Sequence, residues 1–234
     1  MSLPKNIHIS SHPCLQAKLS QLRSQATPTR ETRDLVHEIA TILGVEALAV
    51  SLKTSKGGTD TTPLGYTYET QVISPADVAL VPILRSGLGM IEALNNLLPS
   101  PVPIYHLGLF REKLSLQPVE YYNNLPFHRP ESSTELNANT VNSAASDTAI
   151  LLDPVIATGA TAEAAIDLLR EWGVRRIVML SVLCSEAGVR RVAEHWPEGV
   201  EVWVGAVDAQ CDEKGMIQPG LGDIGDRLFV AMGK

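Results

Sequence analysis

The run Ile150-Leu151-Leu152-Asp153-Pro154-Val155-Ile156-Ala157-Thr158-Gly159-Ala160-Thr161 has the residue types and order to do chemistry on a sugar phosphate. An apolar stretch ends in an acid, a short loop of small and hydroxyl residues follows, and a helical pattern starts at Ala162. The order describes a strand, a phosphate-sized loop and a helix N-terminus. Backbone N–H groups at such a junction lack partners, and the helix dipole adds positive potential, so the junction attracts an anion. Thr158, Gly159 and Thr161 leave room for that anion and can donate to it. Asp153, at the strand's carboxyl end, can accept from sugar hydroxyls. One loop therefore suits both parts of a ribose 5-phosphate. The competing reading is an ordinary strand-to-helix turn, which only other segments can decide against.

Three such segments exist. In Val81-Pro82-Ile83-Leu84-Arg85-Ser86-Gly87-Leu88-Gly89-Met90 a strand delivers an arginine into a glycine-containing loop. A guanidinium there can grip a pyrophosphate through paired N–H donors, with Gly87 and Gly89 letting backbone approach the ligand. Gly108-Leu109-Phe110-Arg111-Glu112-Lys113 places a second arginine just after another expected strand; on its own it reads as a solvated charge cluster. Near the C-terminus, Met216-Ile217-Gln218-Pro219-Gly220-Leu221-Gly222-Asp223-Ile224-Gly225 spells a dinucleotide fingerprint. Too little chain follows Gly225 for the helix and second strand that motif requires. A tight loop with exposed amides and carbonyls fits better, and such a loop can read the O2, N3–H and O4 of a pyrimidine in one plane.

The elements that must position these residues follow from pattern. Helices are expected over 12–25 and 28–43, with Thr27 and Pro28 as cap and first position and Gly44 as the stop. Residues 63–73 favour extended structure and a hairpin arm. Strands are expected at Asp77–Leu84, Val102–Leu107, Thr148–Leu152, Arg176–Leu183 and Glu201–Val207. Helices are expected at Ser86–Leu98, from Ala162 to a cap at Gly173, and near Glu186–Trp196. Strands alternating with helices imply an α/β, doubly wound, mostly parallel sheet, with ligands beyond the carboxyl ends of the strands. Residues 127–147 are polar and aperiodic, which predicts a flexible insertion within one domain spanning 1–234.

The 234 residues suffice for that domain, and 44% hydrophobic content with only 5% aromatic predicts an aliphatic core. A net charge of −7 argues against nucleic acid as a partner, though local arginines and a bound cation can reverse the sign within one pocket. No run is long enough to span a bilayer, and no leader pattern is visible. Cys14, Cys184 and Cys211 are odd in number and far apart, which suits reduced thiols in a cytoplasmic protein. The histidines show no metal-ligand spacing, so no all-protein metal site is expected.

Together the four segments resemble the motifs of the uracil phosphoribosyltransferases, over roughly residues 8–126 and 148–230. The single acid before Pro154 is similar to that branch of the phosphoribosyltransferases, most of whose other branches carry two adjacent acids. The resemblance implies the phosphoribosyltransferase-type sheet with an extended β-hairpin arm and a C-terminal base-recognition loop. It implies transfer of a 5-phosphoribosyl group from 5-phosphoribosyl 1-pyrophosphate (PRPP) to uracil, giving UMP and pyrophosphate in pyrimidine salvage. By the same resemblance, catalysis falls to Asp153, Arg85, Arg111 and Asp223. PRPP binding falls to Arg85, Arg111, Asp153, Pro154, Val155, Ile156, Ala157, Thr158, Gly159, Ala160, Thr161 and Asp223. Uracil binding falls to Met216, Ile217, Gly222, Asp223 and Ile224. Mg²⁺ is implied, bound mainly through PRPP, as is a homodimer or homotetramer, with GTP as a candidate effector. The sequence departs from the family pattern at Ser86, Ala160, Met216 and Ile224, where Ala, Gly, Tyr and Ala are usual. Ala160 is tolerable if its φ is negative and strained if positive. Ala160 and Ile224 leave one rival, a catalytically weak or inactive nucleotide sensor; a pyrimidine-responsive RNA-binding regulator is the second, and the acidic charge argues against it.

Overall fold

The computed structural model describes residues 2–111, 118–126 and 145–230, except for the side chain of Arg111. Its main sheet has the order β1-β10-β9-β7-β4-β5-β6. The strands are β1 (Ile7–Ile9), β4 (Val78–Leu84), β5 (Leu107–Arg111), β6 (Pro118–Asn123), β7 (Thr148–Leu152), β9 (Arg176–Ser185) and β10 (Val200–Asp208), and the short β8 (Val155–Ile156) pairs with β9. All pairings are parallel except β5 with β6. The hairpin β2 (Lys53–Thr61) and β3 (Thr67–Ser74) stands apart and is almost wholly exposed, and a second small hairpin joins β11 (Gln210–Cys211) to β12 (Ile217–Gln218).

The central strands are apolar on both sides because both faces are covered. Alternate residues of β7 go to opposite layers: Ile150 and Leu152 pack with α1 (Pro13–Arg23), α2 (Thr29–Ser51), α3 (Leu88–Leu97) and α6 (Ile224–Phe229). Ala149 and Leu151 pack with α4 (Ala160–Trp172) and α5 (Glu186–His195). This is the period-two alternation of a strand buried on both faces. The expected doubly wound, mostly parallel architecture is therefore present.

Several boundaries differ from expectation, each for a physical reason. Helix α2 does not stop at Gly44; it runs on to Ser51. A β-carbon at 44 would lie 2.7 Å from Leu97 Cδ1 and 2.8 Å from Leu94 Cδ1, so this glycine lets α2 and α3 approach closely instead of ending α2. Pro28 is the N-cap rather than the first helical residue, because its carbonyl accepts from Thr32 N–H at 2.8 Å while the Thr27 hydroxyl donates to Gln21 O. The strand expected at Val102–Leu107 reduces to a bridge at Ile104, and β5 begins only at Leu107. Pro101 and Pro103 interrupt that segment with residues that have no N–H to donate. Strands β2 and β6 carry no sequence expectation. Residues 127–144 of the expected insertion lie outside the described residues. No helix among the described residues is long and apolar enough to cross a membrane.

Candidate active site

In the sheet, β4 and β7 are parallel neighbours, with Pro82 opposite Leu152. The helix after β4 lies on one face and the helix after β7 on the other. The two chains leaving these strands diverge, and a crevice opens between them at their carboxyl ends. Arg85 and Asp153 emerge at that crevice, within a cleft of about 380 Å³.

Asp153 directly follows β7, and its N–H donates to Leu180 O at 3.3 Å. Its side chain is buried, and Ser86 Oγ donates to Asp153 Oδ1 at 3.4 Å across the two strand ends. Burial pushes the carboxyl up to about 7, against the opposing pull of the Val155 amide and the Ser86 hydroxyl. Val155 and Ile156 form β8, so the loop proper is only Ala157–Gly159, and α4 starts at Ala160, two residues earlier than the pattern suggested. Gly159 takes the positive φ of 82°, which leaves Ala160 as an unstrained first helical residue. No side chain caps α4, and Gly159, Thr161 and Ala162 at its N-terminus line the cleft. Pro154 and Ala160 do not line the cleft; Pro154 instead fixes the loop, its carbonyl accepting from Val182 and Leu183 N–H at 3.0 and 3.1 Å.

Arg85 is exposed on the cleft wall and pairs with no carboxylate among the described residues. The peptide Leu84–Arg85 is cis. The nearby glycines differ from expectation: they let protein, not ligand, come close. A β-carbon at Gly87 would collide with the Leu152 carbonyl, and one at Gly89 would crowd Leu228. Arg111 ends β5, and its side chain and residues 112–117 lie outside the described residues. Phe110 and Tyr121, from β5 and β6, add an aromatic wall that sequence reading missed, because β6 itself had no recognisable signal.

The C-terminal segment closes the cleft. Asp212 shapes the turn between β11 and β12, its Oδ1 accepting from the N–H of Lys214 at 2.9 Å and of Met216 at 2.8 Å. Met216, Gly222, Asp223 and Ile224 line the cleft, whereas Ile217 does not and packs its side chain in the core. Asp223 is the N-cap of α6 and accepts from Asp226 N–H at 3.0 Å. Gly220 and Gly222 have φ of 63° and 79°, which glycine alone adopts readily. Ile224 belongs both to the cleft wall and to the core beneath it.

A family model described as uracil phosphoribosyltransferase matches residues 9–231. A uracil phosphoribosyltransferase of Roseiflexus castenholzii is 39% identical over 96% of this chain and 98% of its own length. One from Natranaerobius thermophilus is 36% identical over 95% and 97%. Among solved structures, the AQ2163 protein from Aquifex aeolicus superposes with a TM-score of 0.81 at 29% identity, covering 96% of this chain and 98% of its own.

Proposed function

The chain belongs to the uracil phosphoribosyltransferase family, and on that premise we propose that it transfers the 5-phosphoribosyl group of PRPP to uracil, releasing UMP and pyrophosphate. The observation that carries this reading is the juxtaposition of an unpaired arginine, a buried carboxylate and an uncapped helix N-terminus around one cleft closed by a glycine-rich loop.

Transfer separates charge. As the bond from C1 of the ribose to pyrophosphate breaks, positive charge builds on C1 and the ring oxygen, and negative charge on the leaving group. Arg85 faces the leaving pyrophosphate, and the family resemblance gives Arg111 the same role. The amides of residues 159–161 and the Thr158 and Thr161 hydroxyls hold the 5-phosphate, while Asp153 accepts from the ribose hydroxyls. Gly222 and Ile224 offer backbone groups to the uracil edge, Met216 covers the ring, and Asp223 lies between base and sugar. Uracil N1 is thereby aligned with C1, which lowers the barrier mainly by orientation. The buried Ile217 contributes to this site through its backbone and its packing only.

Among the described residues no three carboxylate, histidine or cysteine groups cluster as a metal cage. Among the described residues Asp153 and Asp223 are the carboxylates on the cleft wall, a donor set that suits Mg²⁺ held chiefly by substrate oxygens and water. The ion would supply positive charge to the departing pyrophosphate. We further propose a homodimer or homotetramer in the cytoplasm, with GTP as an effector; the exposed β2–β3 arm, carrying Leu64 at 83% and Tyr66 at 71% exposure, supports self-association.

A product assay with uracil, PRPP and Mg²⁺ tests the central reading. UMP is expected, and Arg85→Ala is expected to raise the PRPP KM by about a hundredfold, the loss of a charge-assisted fork, with melting temperature unchanged. Absence of UMP from folded protein rejects the activity, and an unchanged PRPP dependence rejects the role of Arg85.

A further inference from the structure

Two arginines outside the cleft hold the loop that closes it. Arg23 is the last residue of α1, and its guanidinium forks onto Asp208 at the end of β10, with both N–H···O distances 2.7 Å. The same Arg23 Nη1 donates to Gly220 O at 2.7 Å, and Asp208 Oδ2 accepts from Gly220 N–H at 2.9 Å. Both backbone groups of Gly220 are thus consumed. Burial alone would raise the Asp208 carboxyl, but the bonds from Arg23 and Gly220, with the nearby positive charge, hold it below its ordinary range. Arg227 of α6 makes the second grip. Its Nη1 donates to Leu221 O at 2.8 Å and also to Leu22 O, and its Nη2 donates to Ser24 O at 3.1 Å. Both grips end on the same post, the C-terminal turn of α1, which Leu15, Leu19 and Leu22 anchor in the core.

The sugar-phosphate loop shares none of these partners. It is braced by α5, where Ser185 Oγ donates to Ala157 O at 2.6 Å and accepts from Gly188 N–H at 2.9 Å. The two braces use different hydrogen-bond partners, although Asp208 and Ser185 are register neighbours on β10 and β9, so releasing one is expected to fall mainly on its own loop.

We propose that Arg23, Asp208 and Arg227 are positioning residues that clamp residues 215–222 to the end of α1 and so set the affinity for the base more than the affinity for the sugar phosphate. The proposal rests on the uracil reading above. A guanidinium is needed because one planar fork must meet a carboxylate and a carbonyl at once; a lysine meets them with a single point charge. Released, Gly220 keeps its buried polar groups but loses their partners, and Gly222 and Ile224, two and four residues on, lose their fixed place relative to C1.

The test is steady-state kinetics on Arg23→Gln, Arg23→Lys and Arg227→Lys, with PRPP affinity by calorimetry and amide exchange over 209–223 and 153–161. Wild type must first form UMP, so failure of the uracil reading is seen separately. Arg23→Gln is expected to raise the uracil KM by about tenfold or more, since sub-ångström displacement of a positioned group is costly. PRPP affinity should fall several-fold less than the uracil KM rises, because residues 157–161 keep their own brace. Exchange should rise over 209–223 and not over 153–161. Arg23→Lys should recover part of the uracil affinity, and it carries the test if Arg23→Gln does not fold. Equal weakening of both substrates, or a drop in melting temperature with uracil KM unchanged, overturns the proposal.

Discussion

In the proposed transfer Asp153 is asked for two opposing things. Holding ribose hydroxyls and a cationic transition state requires a carboxylate, yet the walls that bury it favour the neutral acid and push its pKa from 3.8 to about 7. The folded protein therefore binds a proton that the unfolded chain gives up. The stability tied to that proton is fully present below pH 3.8 and is lost as pH rises through 7, by an amount on the order of 4 kcal/mol at pH 8. Asp153→Asn removes the ionisation while keeping an acceptor for the Val155 amide. Its melting temperature is expected to exceed wild type by several degrees at pH 8 and to match it at pH 4. Turnover should fall by about tenfold or more for want of a charged acceptor. Calorimetry at the two pH values, with kcat measured at pH 8, checks both halves. A variant no more stable than wild type at pH 8 contradicts the buried-acid account, and unchanged kcat contradicts the catalytic one.

At the scale of elements, the loops are only as well placed as the helices behind them. Gly188, in the first turn of α5, lies so close to the phosphate loop that a β-carbon there would collide with the Ala157 carbonyl. Gly188→Ala must push α5 and the loop apart. The expected result is a PRPP KM raised by about tenfold or more, an unchanged uracil KM, and a stability loss of about 1–3 kcal/mol from overpacking. A normal PRPP KM in the folded variant excludes α5 as the brace. This dependence also explains which features were legible in the sequence. Asp153, Thr158 and Gly159 were readable because their chemistry is local: a strand end, a loop and a helix start lie within twelve residues. The strands β4, β7, β9 and β10 were readable as apolar runs. Gly44 was misread as a stop because its function, letting α2 meet α3, depends on leucines about fifty residues away. Arg23 and Arg227 gave no signal for the same reason: one partner, Asp208, is 185 residues from Arg23, and the rest are backbone carbonyls and the Thr32 hydroxyl, which no side-chain pattern announces. Tyr121 was missed because β6 exists only by pairing with β5.

For the molecule as a whole, the cleft is where the sheet's winding reverses. Chains leaving β4 and β7 go to opposite faces, so the void between them is a property of topology, and it is walled by residues as far apart in sequence as Ile83 and Gly225. A ligand seated there touches both helical layers at once and binds only when both are folded. PRPP with Mg²⁺ should therefore stabilise the entire chain and not one segment. At a hundredfold excess over its dissociation constant the linkage is about 2.7 kcal/mol, which for a chain of this size raises the melting temperature by about 5–10 °C. Uracil without PRPP should do much less, since its loop is held chiefly from one layer, by α1 and α6. Chelating Mg²⁺ should abolish most of the PRPP shift, because Arg85 is the one described cation on the cleft wall of a molecule of net charge −7 and offsets only part of the polyanion's charge. Differential scanning calorimetry with PRPP, with uracil and with chelator separates these cases. A single sharpened transition, shifted upward only when sugar phosphate and metal are both present, is the outcome the topology demands. A shift of equal size with uracil alone, or one indifferent to chelation, would place the dominant binding energy in the base loop and remove the crevice between β4 and β7 from its central role.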